Sequence, residues 1–166
     1  MRSSKRENSL IPLSRQHHYA LLLCLRIHRG LPQHQDDIDW LKAKAANVVQ
    51  FFQEDLLMHF IAEEEILFPV MRNFADSIPI LLTELSQEHD KLELLIEGLR
   101  QGQADQLFHL LKEFADLLEA HIRKEERILF PLYEKQISEP LARNIEGDIV
   151  EYIGTAMQPA NPALLE

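Results

Sequence analysis

Apolar residues recur at spacings of three and four along nearly the whole chain, which is the pattern of helices that bury one face. The sequence lacks the apolar-polar alternation that is typical of half-buried strands. It therefore predicts an all-α protein. Glycine, proline and polar breaks divide the pattern into four long helices and a short fifth one, expected at about residues 14–29, 37–68, 77–102, 104–131 and 140–153.

Long helices joined by short connections predict an antiparallel, up-down-up-down four-helix bundle with a short C-terminal helix. Ser14 is the expected cap of the first helix, and Pro69 and Pro131 are expected to stop or kink the second and fourth. The predicted organisation is a mobile N-terminal tail at 1–12, the bundle at 13–135, and a short helix with a tail at 136–166.

Composition excludes several classes of partner. The 166 residues are 46% hydrophobic, which is enough for one core, and the formal charge of −10 disfavours nucleic acid. No segment approaches the length of a membrane span or resembles a signal peptide, so we expect a soluble protein without a membrane partner. Cys24 is the only cysteine, which excludes an internal disulfide and favours the cytoplasm; it is expected to be a small core residue.

One motif occurs twice, as HFIAEEEILFP at residues 59–69 and HIRKEERILFP at residues 121–131. Positions i and i+4 of a helix lie about 40° apart around its axis, so the histidine and the glutamate of each copy project from one face. His59 and Glu63 share that face with apolar neighbours, and so do His121 and Glu125, beside which Ile128 is also expected. Two carboxylates directed into an apolar interior are costly unless positive charge compensates them.

A weaker repeat supplies two more histidines. RQHHYALLL from Arg15 aligns with QEHDKLELL from Gln87, which matches His17 to His89. His17 lies on the apolar face of its helix, whereas its neighbour His18 lies to one side. In an up-down-up-down bundle these two histidines reach the same level as the duplicated motif.

We therefore predict a metal site with four terminal ligands and two bridging carboxylates. Six such groups can hold two ions, because two-metal sites place ions about 3.5–4 Å apart, a span that a carboxylate can link. Imidazole and carboxylate together suit iron best, and zinc, manganese or nickel fit as substitutes on ligand softness. The predicted ligands are His17, His59, His89 and His121, with Glu63 and Glu125 as bridges.

The duplicated motif resembles the signature of the hemerythrin-like (HHE cation-binding) family, over roughly residues 13–132. The resemblance implies a non-haem di-iron centre, bridged by oxo or hydroxo, inside a four-helix bundle. Oxygen-carrying hemerythrins use a His-x-x-x-His on the third helix, but here Glu93 stands four residues after His89. The resemblance is closer to the subgroup with His and His-x-x-x-Glu twice over, which includes iron- and oxygen-responsive domains and peroxide-decomposing proteins.

Other polar residues have a structural interpretation as well as a functional one. Glu93 is either a further ligand or an exposed carboxylate, and the second is favoured. Asp55 is the expected partner for the second ring nitrogen of a ligating histidine, because it lies one turn before His59. The remaining histidines and acidic residues are expected to be structural or solvated: His28, His34, His109, Glu64, Glu65 and Glu126.

Two classes of function remain open on these residues. The first is a module that binds or senses oxygen, nitric oxide or iron, its small partner being a diatomic molecule or peroxide, with no protein partner identified. The second is a di-iron oxidoreductase that decomposes peroxide or reduces oxygen. The sequence offers no acid or base outside the ligand set, and therefore no catalytic residue, which favours the first class. Delivery of iron to other centres, or their repair, is a third alternative.

Overall fold

The computed structural model describes residues 6–165, and this part of the chain is helical and contains no strand. The prediction of an all-α protein is confirmed. The termini of the two predicted tails, residues 1–5 and 166, lie outside the described residues. Five helices follow one another, which we number α1 (Ile11–Gly30), α2 (38–71), α3 (Ile78–Gln101), α4 (107–136) and α5 (Glu139–Ile153).

Helix α2 contains two five-residue π-helical turns, at Phe52–Leu56 and Glu63–Leu67, and helix α4 contains one, at Glu125–Leu129. In the last two turns the N–H of Phe68 or Phe130 donates to the carbonyl five residues earlier. Pro69 and Pro131 follow directly, each in the first turn of the next α-helical segment. Pro69 was expected to stop or kink the helix: it does not stop α2, which continues to Met71, and the local distortion that precedes it is a π-turn.

The helix ends follow their local chemistry. Asp37 caps α2, since its carboxylate accepts the backbone N–H of Trp40 at 3.0 Å. Gly102 closes α3 in the left-handed conformation, with φ of 67°. Ser14 is not the cap of α1, because a 3-10 turn at Asn8–Leu10 leads into the helix three residues before it.

Residue pairs show how neighbouring helices align. Between α1 and α4, Arg6 just before α1 contacts Glu134, and His28 near the end of α1 contacts Asp116. Position numbers therefore rise along one helix as they fall along the other.

The apolar core has two parts that meet inside the bundle. Along α2 the first part ends at Phe60 and the second begins at Ala62, so that the two parts join beside His59. Helix α5 packs on the second part through Ile145 and Ile149, and it also contacts the 3-10 turn at Asn8–Leu10. A polar cluster lies at the join.

Two expectations about the surface need correction. Leu10, placed in the predicted mobile tail, is fully buried against α5 and its neighbours. Ile128, expected on the inner face, is 48% exposed, whereas its counterpart Ile66 in the first copy of the motif is buried. The difference arises because α5 packs against the turn Glu63–Leu67. Among residues 6–165, no helix is long and apolar enough to cross a membrane.

Candidate metal centre

The structure brings all six residues predicted as ligands together in the interior of the bundle. Every one of them is at most 2% exposed. Their ligand atoms form two overlapping groups, each with atoms within 4.8 Å of one another. The first group is His17, His59, Glu63 and Glu125, and the second is Glu63, His89, His121 and Glu125.

Each group contains one pair of histidines, and both groups share the two glutamates. We call the place between His17 and His59 position 1, where the two Nε2 atoms are 3.0 Å apart. Position 2 lies between His89 and His121, whose Nε2 atoms are 3.1 Å apart. The arrangement is that of two adjacent ion sites with common carboxylates.

The carboxylate of Glu63 spans the two positions. Its Oε1 lies 3.1 Å from Nε2 of His59 and its Oε2 lies 3.3 Å from Nε2 of His89. Glu125 also contacts both positions, with Oε2 at 3.1 Å from Nε2 of His17 and 3.4 Å from Nε2 of His121. The two oxygens of Glu63 thus face different positions, whereas a single oxygen of Glu125 lies between both.

The buried glutamates have no ordinary hydrogen-bond donor. All four carboxylate oxygens of Glu63 and Glu125 are buried and unpartnered, and within residues 6–165 no other buried side-chain oxygen or nitrogen is left so. Burying an ionised carboxylate without compensation costs several kcal/mol, which a native core does not tolerate twice in one place. Divalent cations would supply the missing charge, so the donor set fits metal ions.

The outward nitrogen of each imidazole is held by a hydrogen bond. The four Nδ1–H groups donate to side-chain oxygens, three of them carboxylates and one an amide, so each neutral ring presents its Nε2 lone pair to the cluster. The four bonds are His17 to Glu126 at 2.8 Å, His59 to Gln16 at 3.0 Å, His89 to Glu64 at 2.7 Å and His121 to Glu88 at 2.9 Å.

The electrostatics of the cluster show that it attracts positive charge. Burial alone lowers the pKa of His17, but its contacts with Glu125, Glu126 and Glu63 outweigh burial and raise that pKa well above its usual value. Burial also lowers the pKa of His89, but its contacts with Glu63, Glu125 and Glu64 outweigh burial and raise that pKa to about 9. The pKa of His59 is lowered, mainly by burial. At His17 and His89 the surrounding carboxylates thus favour a positively charged ring, whereas at His59 burial prevails.

The outer partners differ from those that the sequence suggested. Asp55 does not reach His59; its carboxylate accepts the backbone N–H of Ala160 at 3.1 Å. Gln16 takes its place, since the amide oxygen accepts from His59 and the amide nitrogen donates to the Asp55 carbonyl at 3.2 Å. Asp55 lies within the π-turn Phe52–Leu56, whose wider winding departs from the regular α-helical spacing on which the expectation depended.

Three further residues accept hydrogen bonds from the histidines of the cluster. Two of them were predicted to be solvated, and no role was predicted for the third. Glu64 and Glu126 were expected to be solvated, yet their carboxylates hold His89 and His17. Glu88 was overlooked, although it directly precedes His89 in the aligned segments and accepts from His121. The sequence feature that could have identified these partners is a carboxylate or amide side chain next to a predicted ligand, because such a residue points toward the neighbouring helix.

The residues set aside lie outside the cluster. His18 and Glu93 are exposed, so neither side chain joins the buried cluster, and Glu93 is a surface carboxylate. His28 contacts Asp116, and the ring of His34 stacks on Trp40. Cys24 is buried, and burial raises the pKa of its thiol to about 12, so it is a core residue.

Comparisons with known proteins agree with this geometry. Residues 12–133 match the family described as Hemerythrin HHE cation binding domain. The chain is also similar to the iron-sulfur cluster repair protein DnrN of Neisseria gonorrhoeae, with 32% identity over 106 aligned residues. The match covers 55% of this chain and 67% of the relative. No solved structure gives a significant match. The resemblance found in the sequence is confirmed, and this chain belongs to the hemerythrin HHE cation-binding domain family.

Proposed function

We propose that the chain binds two iron ions, one at position 1 and one at position 2, with Glu63 and Glu125 as bridges. The observation that carries this proposal is the pair of buried carboxylates without donors, which face two histidine pairs. Iron is favoured because imidazole and carboxylate together suit it, and zinc, manganese and nickel remain substitutes. When bound, the metal pair would supply redox and Lewis-acid chemistry.

The proposed centre takes one ligand element from each of four helices, which suits the antiparallel bundle that the sequence predicts. Its support is the opposed alignment of α1 and α4 and the same relation between α3 and α4. There, Lys124 contacts Glu84 while Gly98 lies against Leu110. We take the up-down-up-down order as the arrangement that gathers the six residues at one level.

We further propose that the centre serves the repair of iron-sulfur clusters, with iron as the cargo that the chain holds and gives up. The support is the name of the relative from Neisseria gonorrhoeae, together with the 67% of its length that the match covers. The chain's own part is to hold iron in neutral imidazoles and carboxylates and to exclude water with the apolar core on either side. The buried single thiol suits a reducing cytoplasm.

A second candidate is binding or sensing of a diatomic molecule or peroxide. It is favoured by a cavity of about 510 Å³ that borders His17 and Glu126, which is ample for such a ligand beside position 1. An oxidoreductase would admit its substrate through the same cavity. The two candidates differ in whether iron leaves the protein.

The proposal is tested first by metal analysis of protein purified without chelators, where we expect close to two iron ions per chain. Iron-loaded protein is then mixed anaerobically with an enzyme whose iron-sulfur cluster has been damaged, and recovered activity is compared with iron lost from the protein. Repair predicts recovery with transfer of iron, and a Glu125→Ala variant that cannot hold iron should give none.

The same preparation separates the alternatives. A reversible absorption band on exposure of the reduced protein to nitric oxide or air, with all iron retained and no cluster repaired, would favour binding or sensing. Sustained gas evolution from peroxide would favour an enzyme. Metal content well below two per chain in wild-type protein, even after reconstitution with ferrous iron, would contradict the proposed centre itself.

A further inference from the structure

The outer partners of the four histidines follow the internal repeat of the chain, with one exception. Glu126 and Glu64 occupy matching places, one residue after the bridging glutamates, and hold His17 and His89. The residues just before His17 and His89 also match, but one is Gln16 and the other is Glu88. These two hold His59 and His121, so one histidine of position 1 has a neutral partner where position 2 has a carboxylate.

Charged groups near these partners do not remove the difference. Arg6 contacts Glu126, beside position 1, and Lys124 contacts Glu88, beside position 2. At each position, one outer carboxylate thus forms a salt bridge with a basic side chain. Position 2 has in addition the carboxylate of Glu64, whereas position 1 has in addition only the amide of Gln16.

A carboxylate that accepts the Nδ1–H of a ligating imidazole makes the ring more basic and adds negative charge near the ion, whereas an amide does less of both. Outer partners of this kind change metal affinity by about 10- to 100-fold. Glu64 is 43% exposed, so solvent screens part of its charge, but Glu88 is only 13% exposed and its effect is screened less. Position 1, which has the amide of Gln16 where position 2 has a second carboxylate, should therefore hold its ion less tightly.

The surroundings of the two positions also favour easier access to position 1 than to position 2. The cavity of about 510 Å³ beside position 1 reaches His17, and a second cavity of about 510 Å³ borders Gln16 between α2 and the segment after α5. At position 2 the ring of Phe60 stacks on His89 with centroids 3.9 Å apart, whereas at position 1 the ring stacked on His17, that of Phe130, lies farther away at 5.4 Å. All four histidines are buried to the same degree, so access differs through their neighbours rather than through their own exposure.

We propose that the two metal positions are inequivalent, and that position 1 is the exchangeable one from which an ion leaves first, while position 2 retains its ion. This inference rests on the proposed two-iron centre. It assigns to Gln16 the role of a positioning residue that makes one of the two ions available for transfer.

The test is release of iron from fully loaded protein. Protein with two equivalents of ferrous iron is mixed anaerobically with excess bathophenanthroline disulfonate, and the coloured ferrous chelate is followed with time. We expect two phases of equal amplitude whose rates differ about tenfold or more. Gln16→Glu should slow the fast phase about tenfold, and Glu88→Gln should accelerate the slow phase by a similar factor while the amide oxygen still accepts from His121.

Glu84→Gln is the matched control, because Glu84 lies one turn before Glu88 and also contacts Lys124, but contacts no histidine of the cluster. It should leave both phases unchanged. Gln16→Glu loses the donor to the Asp55 carbonyl and is checked by circular dichroism; if it misfolds, Glu88→Gln still decides the question.

Two iron ions that leave at one common rate would overturn the inference and leave the proposed centre intact. So would a Glu88→Gln variant whose slow phase is unaltered. Failure of the protein to bind two equivalents would instead count against the proposed centre, so the two failures are distinguishable.

Discussion

Replacement of Glu63 by glutamine should remove most of the stability that iron gives to the fold. The side chain keeps its size but loses its charge, and it is the residue whose two oxygens face both positions, at 3.1 Å from His59 and 3.3 Å from His89. An amide is a poor bridge, because only its oxygen can coordinate and it brings no negative charge. Both ions should therefore bind more weakly in the variant.

The expected magnitude follows from linkage between binding and folding. At free iron about 1,000 times the dissociation constant, each filled position stabilises the fold by about 4 kcal/mol, or about 8 kcal/mol for two. For a chain of this size that is a rise in Tm of roughly 15–30 °C. A hundredfold loss of affinity at each position removes about 2.7 kcal/mol per position, so the rise should shrink by roughly 10–20 °C.

The assay is thermal unfolding followed by far-ultraviolet circular dichroism, with and without ferrous iron under anaerobic conditions. Glu65→Gln is the matched control: it removes the same charge two residues away, from an exposed carboxylate that contacts Tyr152 rather than a histidine. The control should show the wild-type rise in Tm. A Glu63→Gln protein that binds two ions and keeps the full rise would falsify the assignment of Glu63 as a bridge.

Two further outcomes test the apolar parts of the fold. Cys24, whose pKa burial raises to about 12, should resist alkylation at pH 8 in folded protein and react once urea unfolds it; rapid reaction of the native thiol would contradict its burial. Gly30→Ala should destabilise by about 1–3 kcal/mol in urea denaturation, because the new methyl would lie 2.3 Å from the ring of Trp40. Gly147→Ala, in α5 with nothing within 4 Å, should instead stabilise by about 0.5–1 kcal/mol, and equal effects of both variants would count against the contact at Trp40.

The inner six residues could be predicted because the α-helical repeat is intact where they stand. His59 is joined to Glu63 by the α-helical segment Leu57–Ala62, and His121 is joined to Glu125 by the α-helical segment Leu107–Lys124; each π-turn starts only at the glutamate. A separation of four residues therefore means one face in both copies of the motif. Regular periodicity, not conservation, carried the prediction.

The outer partners could not be predicted in the same way, because they depend on contacts between helices. Glu64 and Glu126 reach histidines of α3 and α1, and a sequence does not show which neighbour a half-exposed carboxylate meets. The expectation for Asp55 was wrong for a different reason: Asp55 lies within a π-turn, where a count of residues no longer gives the angle around the helix axis. The structure supplies what periodicity omits.

The prolines of the duplicated motif favour the π-turn that stands before each of them, whereas the π-turn at Phe52–Leu56 has no proline after it. A proline within a helix cannot donate to the carbonyl four residues earlier and collides with it, so a regular α-helix would break at Pro69 and Pro131. One residue separates the π-turns Glu63–Leu67 and Glu125–Leu129 from these prolines, and each turn begins at a glutamate that we propose as a bridge. π-Turns within helices frequently occur at functional sites. The motif therefore encodes two things at once: side chains that can bind a cation, and a proline that favours the wide turn at which the bridging carboxylate stands.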